Sequence, residues 1–363
     1  MRIRGSARNG QGRSRRARLG VTAVGVLAGF GASMTVFPAS SNAYVYDCAP
    51  TETTCVKNFN RNAVRPGTVK NVAIVRVLLA GRDTPSMGEI KSNVRQLDAF
   101  YDTASRGQLR LKLVSEKTVQ VDSHNCSQAK NQATNGNGSN AFLTVYSLPR
   151  GLCGYSNAGG GKIFLNGSLF RDYAHETGHL LGLGHGNKNV NGVFDSYGDP
   201  TTYMGSLPSD NYNIAQLHWL GWTAKEETVL VDAAVAAGRA TEVTLRPVVR
   251  NAESSSTNPL AAVWDIPGTD QRLFIAVPKA NDTNVNKVGG GEVFVYRAPR
   301  CVGCTGMAMG TTVVGRFGPK TSNDHVVWGL TINPVRYEST IVRQDGKNVE
   351  RFTSVTVRIS VGG

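Results

Sequence analysis

The chain has 363 residues, 40% hydrophobic and 18% charged, a balance that supports a packed core and excludes a disordered or collagen-like protein. Its formal charge of +14 overstates its basic character, because seven of the 40 Lys and Arg residues precede Asp47, the first acidic residue, which leaves 33 basic against 26 acidic side chains. An excess of that size, with no basic clusters interleaved with aromatics, excludes a nucleic-acid interface.

The N-terminus carries Arg2, Arg4, Arg8, Arg13, Arg15, Arg16 and Arg18 ahead of an uncharged stretch from Leu19 to Phe37. That layout predicts a signal peptide over residues 1–43, with the small residues Ser41 and Ala43 before the cleavage point and a mature chain starting at Tyr44. The Ser14-Arg15-Arg16 run suits twin-arginine export, with the general secretory route as the alternative. A third possibility is an uncleaved anchor over Leu19 to Phe37. The expectation is a secreted protein with no stable membrane association after cleavage. Its six cysteines then sit in an oxidising compartment. Pairing neighbours gives Cys48 with Cys55, Cys126 with Cys153 and Cys301 with Cys304, among about 15 arrangements that six cysteines allow. The Cys301-to-Cys304 spacing also suits a redox or zinc half-site.

A linker over 44–68 leads to Val69–Leu79, a continuous apolar run that predicts a buried strand. Met87 to Ser105 places Ile90, Val94, Leu97 and Phe100 at helical spacing, behind Ser86 as N-cap and ahead of Gly107. Leu109–Val121 alternates as a strand, and Asp122–Asn140 is polar enough for a loop tied down by Cys126. Strands follow at Phe142–Leu148 and Lys162–Asn166, then a helix over Arg171–Leu181, a loop-like stretch from Gly182 to Leu217, and a closing helix over Asn213–Leu220. Beyond Trp222 the pattern is β throughout: Thr241–Val249, Leu260–Ile266, Arg272–Val277, Glu292–Tyr296, Val326–Ile332, and a hairpin of Tyr337–Arg343 with Phe352–Val361 across Asp345-Gly346. The predicted class is α+β, with a mixed α and β domain over 69–222 and an all-β, sandwich-like domain over 223–363.

The chemistry concentrates in His175-Glu176-Thr177-Gly178-His179-Leu180-Leu181-Gly182-Leu183-Gly184-His185. Side chains four apart on a helix lie one turn above each other, so His175 and His179 can share one metal ion. Glu176 is rotated about 100° from His175 and suits a base acting on water rather than a ligand. Gly182 ends the helix in a left-handed conformation, which returns His185 as a third ligand. Three protein ligands with a fourth position for water is the catalytic pattern of zinc. His124, His218 and His325 read as solvated or internally satisfied residues. Asp195 and Asp199, with neighbouring asparagines, offer oxygen ligands for a structural calcium ion, or else a hydrogen-bonded loop.

The extended HExxHxxGxxH pattern, followed by Thr202-Tyr203-Met204-Gly205, resembles the metzincin metallopeptidases. The stretches Phe100-Tyr101, Ser105-Arg106-Gly107-Gln108-Leu109, Tyr197-Gly198-Asp199-Pro200 and Asn213 to Trp222 resemble the gametolysin family within that clan. The resemblance implies one catalytic zinc ion on His175, His179 and His185, Glu176 as base, and Met204 beneath the site. It also implies a protein or glycoprotein substrate, cleaved as an endopeptidase cleaves it. Two features depart from the pattern. The segment from Tyr44 to Thr68 is too short for a folded propeptide, with Cys48 or Cys55 as a thiolate block or, alternatively, a disulfide. Tyr203 precedes the methionine and Gly205 follows it, so the transition-state tyrosine of some metzincins is not carried onto Tyr203. Chain order and the family resemblance together imply that substrate pairs with a sheet edge at Lys162–Asn166. Competing readings are a zinc hydrolase of a non-peptide bond, and an adhesion or carbohydrate-binding protein with a vestigial zinc domain.

Overall fold

The computed structural model describes residues 52–58, 67–205, 209–249, 257–279, 290–300, 309–318, 325–344 and 346–361. The signal peptide, Cys48, Cys301 and Cys304 lie outside them.

Strand β1 (Thr68–Leu79) is followed by helix α1 (Met87–Ser105), β2 (Leu109–Val121), α2 (Cys126–Thr134), β3 (Leu143–Ser147), β4 (Asn157–Gly159), β5 (Lys162–Leu165) and α3 (Phe170–Leu180). β1, β2, β3 and β5 are parallel, β4 is antiparallel to β5, and the order across the sheet is β2-β1-β3-β5-β4. The apolar run of β1 reflects cover on both faces, as parallel sheets require. Val72 and Ile74 face α1 and α3, while Val75, Val77 and Leu79 face α2. α1 starts where Ser86 predicts: its hydroxyl accepts from Glu89 N at 3.2 Å and the Glu89 carboxylate accepts from Ser86 N at 2.7 Å. The helix ends at Arg106 and Gly107, both left-handed, with φ of 57° and 78°.

Two sequence expectations change in this half. Asp122–Asn140 is not wholly a loop, because Asn125 caps α2 and Ala129 and Ala133, four apart, bury one face against the sheet. Short polar residues hid that two-residue apolar stripe. The disulfide from Cys126 to Cys153 is present, as neighbour pairing predicts. Secondly, β5 is not the sheet edge, since β4 pairs along its outer side and presents the edge instead.

The stretch after Gly182, expected to be loop-like, forms a hairpin of β6 (Leu183–Val190) and β7 (Val193–Asp195), before α4 (Ile214–Trp219). There follow β8 (Thr228–Leu230), α5 (Asp232–Ala236), β9 (Thr241–Leu245), β10 (Pro247–Val248), β11 (Ala261–Asp265), β12 (Gln271–Pro278), β13 (Val293–Pro299), β14 (Met309–Phe317), β15 (His325–Val327), β16 (Leu330–Gln344) and β17 (Lys347–Val361). The β segments expected beyond Trp222 are all present, with Thr241–Val249 divided between β9 and β10 in different sheets; β8, β14 and the short helix α5 are additions. The run expected over Val326–Ile332 is broken into β15 and β16 by Trp328 and Gly329, whose positive φ values of 55° and 84° fit a two-residue hairpin turn.

Among the described residues these strands form an eight-stranded sheet, β7-β6-β14-β13-β12-β11-β8 with β10 beside β12, and a four-stranded sheet, β15-β16-β17-β9. One face of the larger sheet, including Ala262, Leu273, Ile275, Val293 and Val295, packs on Leu330, Ile332, Val355, Val357 and Ile359 of the smaller one. Its other face, including Val263, Phe274, Phe294, Tyr296 and Val313, joins the core beneath α1 and α3. The division expected at Thr223 is therefore crossed by a shared sheet and a shared core, and the described residues belong to one compact unit. The class is α+β. Among the described residues no helix is long and apolar enough to cross a membrane.

Candidate metal centre

α3 carries His175, Glu176 and His179 because its turns alternate duties. Tyr173, Ala174, Thr177 and Gly178 are buried, while both histidines are half-buried and point to the cleft. The helix stops at Leu181, and Gly182 takes φ of 87°, as the break in the motif predicts. The chain then reverses into β6 and returns His185 to the helix.

The three imidazoles converge. One ring nitrogen from each of His175, His179 and His185 lies within 4.8 Å of the others, and the ring centroids are 4.8, 5.5 and 4.9 Å apart. The Nδ1–H groups are tied down, His175 donating to Tyr203 O and His179 to Leu183 O, each at 2.8 Å. With those protons placed on Nδ1, the Nε2 atoms of His175 and His179 face each other as lone pairs at 3.2 Å. Two acceptors that close repel unless a cation lies between them. Two nitrogens about 2.05 Å from one tetrahedral zinc ion would be about 3.3 Å apart, which matches. Burial, then the charges of the neighbouring histidines, lowers the His175 pKa to about 4 and lowers that of His185, so both favour the neutral form a metal needs. The donor set fits a zinc ion.

Met204 is fully buried and packs under α3. A β-carbon added at Gly178 would lie 2.5 Å from Met204 Sδ and 3.0 Å from Tyr212 Oη, so a larger residue here would have to push the methionine side chain aside. Phe100 and Tyr101 belong to the same support: the Phe100 ring meets Tyr203 edge-on at 5.2 Å, and the Tyr101 and Tyr212 hydroxyls lie 3.0 Å apart above Ala174 O. Gly178 escaped sequence reasoning. A glycine inside a helix costs about 1 kcal/mol relative to alanine, and that cost was the available signal.

Glu176 lies beside the cluster, 6% exposed, and its pKa is raised to about 7, first by burial and then by the charge of Asp172 one turn earlier; Lys130 acts in the opposite direction. The cleft around these groups has a volume of about 650 Å³. One wall is 154–158, which includes Asn157 and Ala158 of β4, and the floor is α3 from Arg171 to His179. Tyr197, given no site role from sequence beyond its place in the Tyr197-Gly198-Asp199-Pro200 stretch, closes the far side with its ring 4.0 Å from that of His185. The 154–158 wall is held from behind by α2, through the disulfide at Cys153 and the hydrogen bond of Lys130 to Asn157 Oδ1.

Other candidates fall outside the cluster. His218 is buried in α4 with Nδ1 3.2 Å from Thr223 Oγ1, His124 is exposed, and His325 stacks on Phe317. The calcium candidates separate: Asp195 pairs with Lys188 at 3.2 Å, whereas Asp199 is buried with its oxygens accepting from Thr201 N, Thr201 Oγ1 and Asn213 Nδ2. That is the hydrogen-bonded loop rather than a calcium site. Cys55 is in a disulfide, which removes it as a thiolate block; the pairing with Cys48 lies outside the described residues.

No family model matches the chain, and no curated protein matches it. Among solved structures, a chaperone-substrate complex aligns with 43% of this chain at 16% identity and a TM-score of 0.27. The aligned part spans 31% of that protein's chain, and a likeness this weak carries no argument about fold or function.

Proposed function

We propose that the protein is a secreted zinc endopeptidase of the metzincin type, related in its site to the gametolysins. The observation that carries this reading is the convergence of three imidazoles beside a buried carboxylate, in an open cleft. His175, His179 and His185 would hold the zinc ion. When bound there it supplies Lewis acidity, acidifying water and polarising a carbonyl. Glu176, with its pKa near neutrality, takes the proton of the attacking water and passes it to the leaving nitrogen.

The extended substrate pairs with the edge of β4 rather than with β5, so that its backbone polar groups are satisfied along the cleft wall. Tyr155 stands 75% exposed on that wall and meets an adjacent substrate side chain. Export is supported by the arginine-rich leader and by the Cys126–Cys153 disulfide, which an oxidising compartment maintains. Purified protein should release peptides from a proteome digest and from casein, and a zinc chelator should stop it. Cleavage of ester or glycan substrates alone would favour the non-peptide hydrolase; turnover of none of them would favour adhesion.

A further inference from the structure

The strand that bears His185 does not stand by itself. β6 is inserted between β7 and β14, and β14 runs parallel to it with Met309 opposite Leu183 and Thr311 opposite Gly186. The register slips between those pairs, where His185 sits. The approach there is close: a β-carbon on Gly184 would meet the Gly310 nitrogen at 2.8 Å and its Cα at 3.0 Å. Met309 N donates to the carbonyl of Gly182, the helix terminator, at 2.8 Å. Thus the segment that turns from α3 toward the third histidine is fixed at both ends by a strand more than a hundred residues later in the sequence.

A second set of contacts reaches the same place. Thr201 Oγ1 gives its proton to Asp199 Oδ1 at 2.6 Å, so the Tyr296 hydroxyl of β13, 2.9 Å away, donates to Thr201. Asn213 Nδ2 divides its two protons between Asp199 Oδ2 at 2.9 Å and Thr311 Oγ1 of β14 at 2.8 Å. Asp199 N in turn donates to Gly186 O at 3.2 Å, and Gly186 N donates to Met204 O at 2.8 Å. The residue after His185 and the turn beneath α3 are held by one buried hub. Two of its members, Tyr296 and Thr311, lie on β13 and β14.

We infer that Tyr296 and Thr311 are positioning residues for the metal centre, so that β13 and β14 complete the site by orienting His185 and the Met204 turn. This rests on the zinc reading. It gives β13 and β14 a role in metal affinity and coordination geometry, beyond packing.

The test uses full-length Tyr296→Phe, Thr311→Val and Thr311→Ser, each loaded with Co²⁺, together with Val357→Ala as a control in the core between the two C-terminal sheets. Visible absorption of Co²⁺ reports coordination, and competition with a chromophoric chelator gives the Zn²⁺ Kd. Tyr296→Phe and Thr311→Val should each weaken Zn²⁺ binding by about 10- to 100-fold, the usual range for groups that orient ligands, and should shift the Co²⁺ bands. Thr311→Ser should restore both, and Val357→Ala should lower Tm with wild-type Kd and spectrum. Wild-type Kd and bands in the Phe and Val variants would overturn this inference alone. A wild-type protein that takes up no Co²⁺ would overturn the zinc reading and this inference with it.

Discussion

Two halves of the histidine cluster are built by different kinds of contact. His175 and His179 are one helical turn apart on α3, and their separation is set by local backbone geometry. His185 arrives on β6, whose position depends on β14 and on the hub around Asp199. A helix presents its ligands wherever it packs, whereas a strand presents its ligand only if distant partners are in register. Damage to the helix half should therefore remove metal and leave the fold. Damage to the strand half should injure both.

The largest effect should come from His179→Ala, which is expected to reduce bound zinc from about one ion per chain to less than about a tenth while the apo protein unfolds at the wild-type apo temperature. Elemental analysis after dialysis, beside a thermal melt, checks it. Gly184→Ala is the matching break in the strand half. Its new β-carbon meets backbone atoms that cannot swing aside, so a loss of about 2–3 kcal/mol in denaturant unfolding is expected together with weaker zinc binding. Gly178→Ala in the helix half should cost about 1 kcal/mol or less, because it meets a flexible methionine side chain and gains helix propensity.

A smaller effect separates the support under the strand half by pH. Burial, then the charge of Arg272, lowers the His218 pKa to about 3, so the folded protein leaves this side chain neutral where the unfolded chain, with an ordinary value of about 6.5, takes up a proton. Its contribution is fully present above that ordinary value and is lost as the pH falls from about 6.5 toward about 3. Denaturant unfolding at pH 7, 6, 5 and 4 should therefore show a shallower acid slope in His218→Gln than in wild type. An equal slope would remove His218 from the acid response.

The same division explains what could be read from sequence. Ser86 and Glu89, the helical spacing of Ile90, Val94 and Leu97, and the His175, His179, Gly182 and His185 pattern are local signals, and each is found where it was expected. β6 reads Leu-Gly-His-Gly-Asn-Lys-Asn-Val, glycine- and asparagine-rich and poor in β-formers, so nothing in its own composition announces a strand. Its partner β14 buries every second residue, but two of those positions are Thr311 and Gly315, which dilutes the apolar alternation, and the strand lies far along the chain. α2 was hidden for a related reason, since two alanines and a disulfide secure it where a longer apolar stripe would have been legible. The edge position of β4, three residues long, is likewise a property of sheet order and not of its sequence.

The most direct test of a hydrolytic centre in this cleft is Glu176→Gln, measured for bound zinc and for peptide release on the same preparation. Zinc should remain at the wild-type level, because the side chain is not among the three converging nitrogens, while cleavage should fall by at least about 10²- to 10⁴-fold with loss of the proton carrier. Cleavage at the wild-type rate with zinc retained would contradict it.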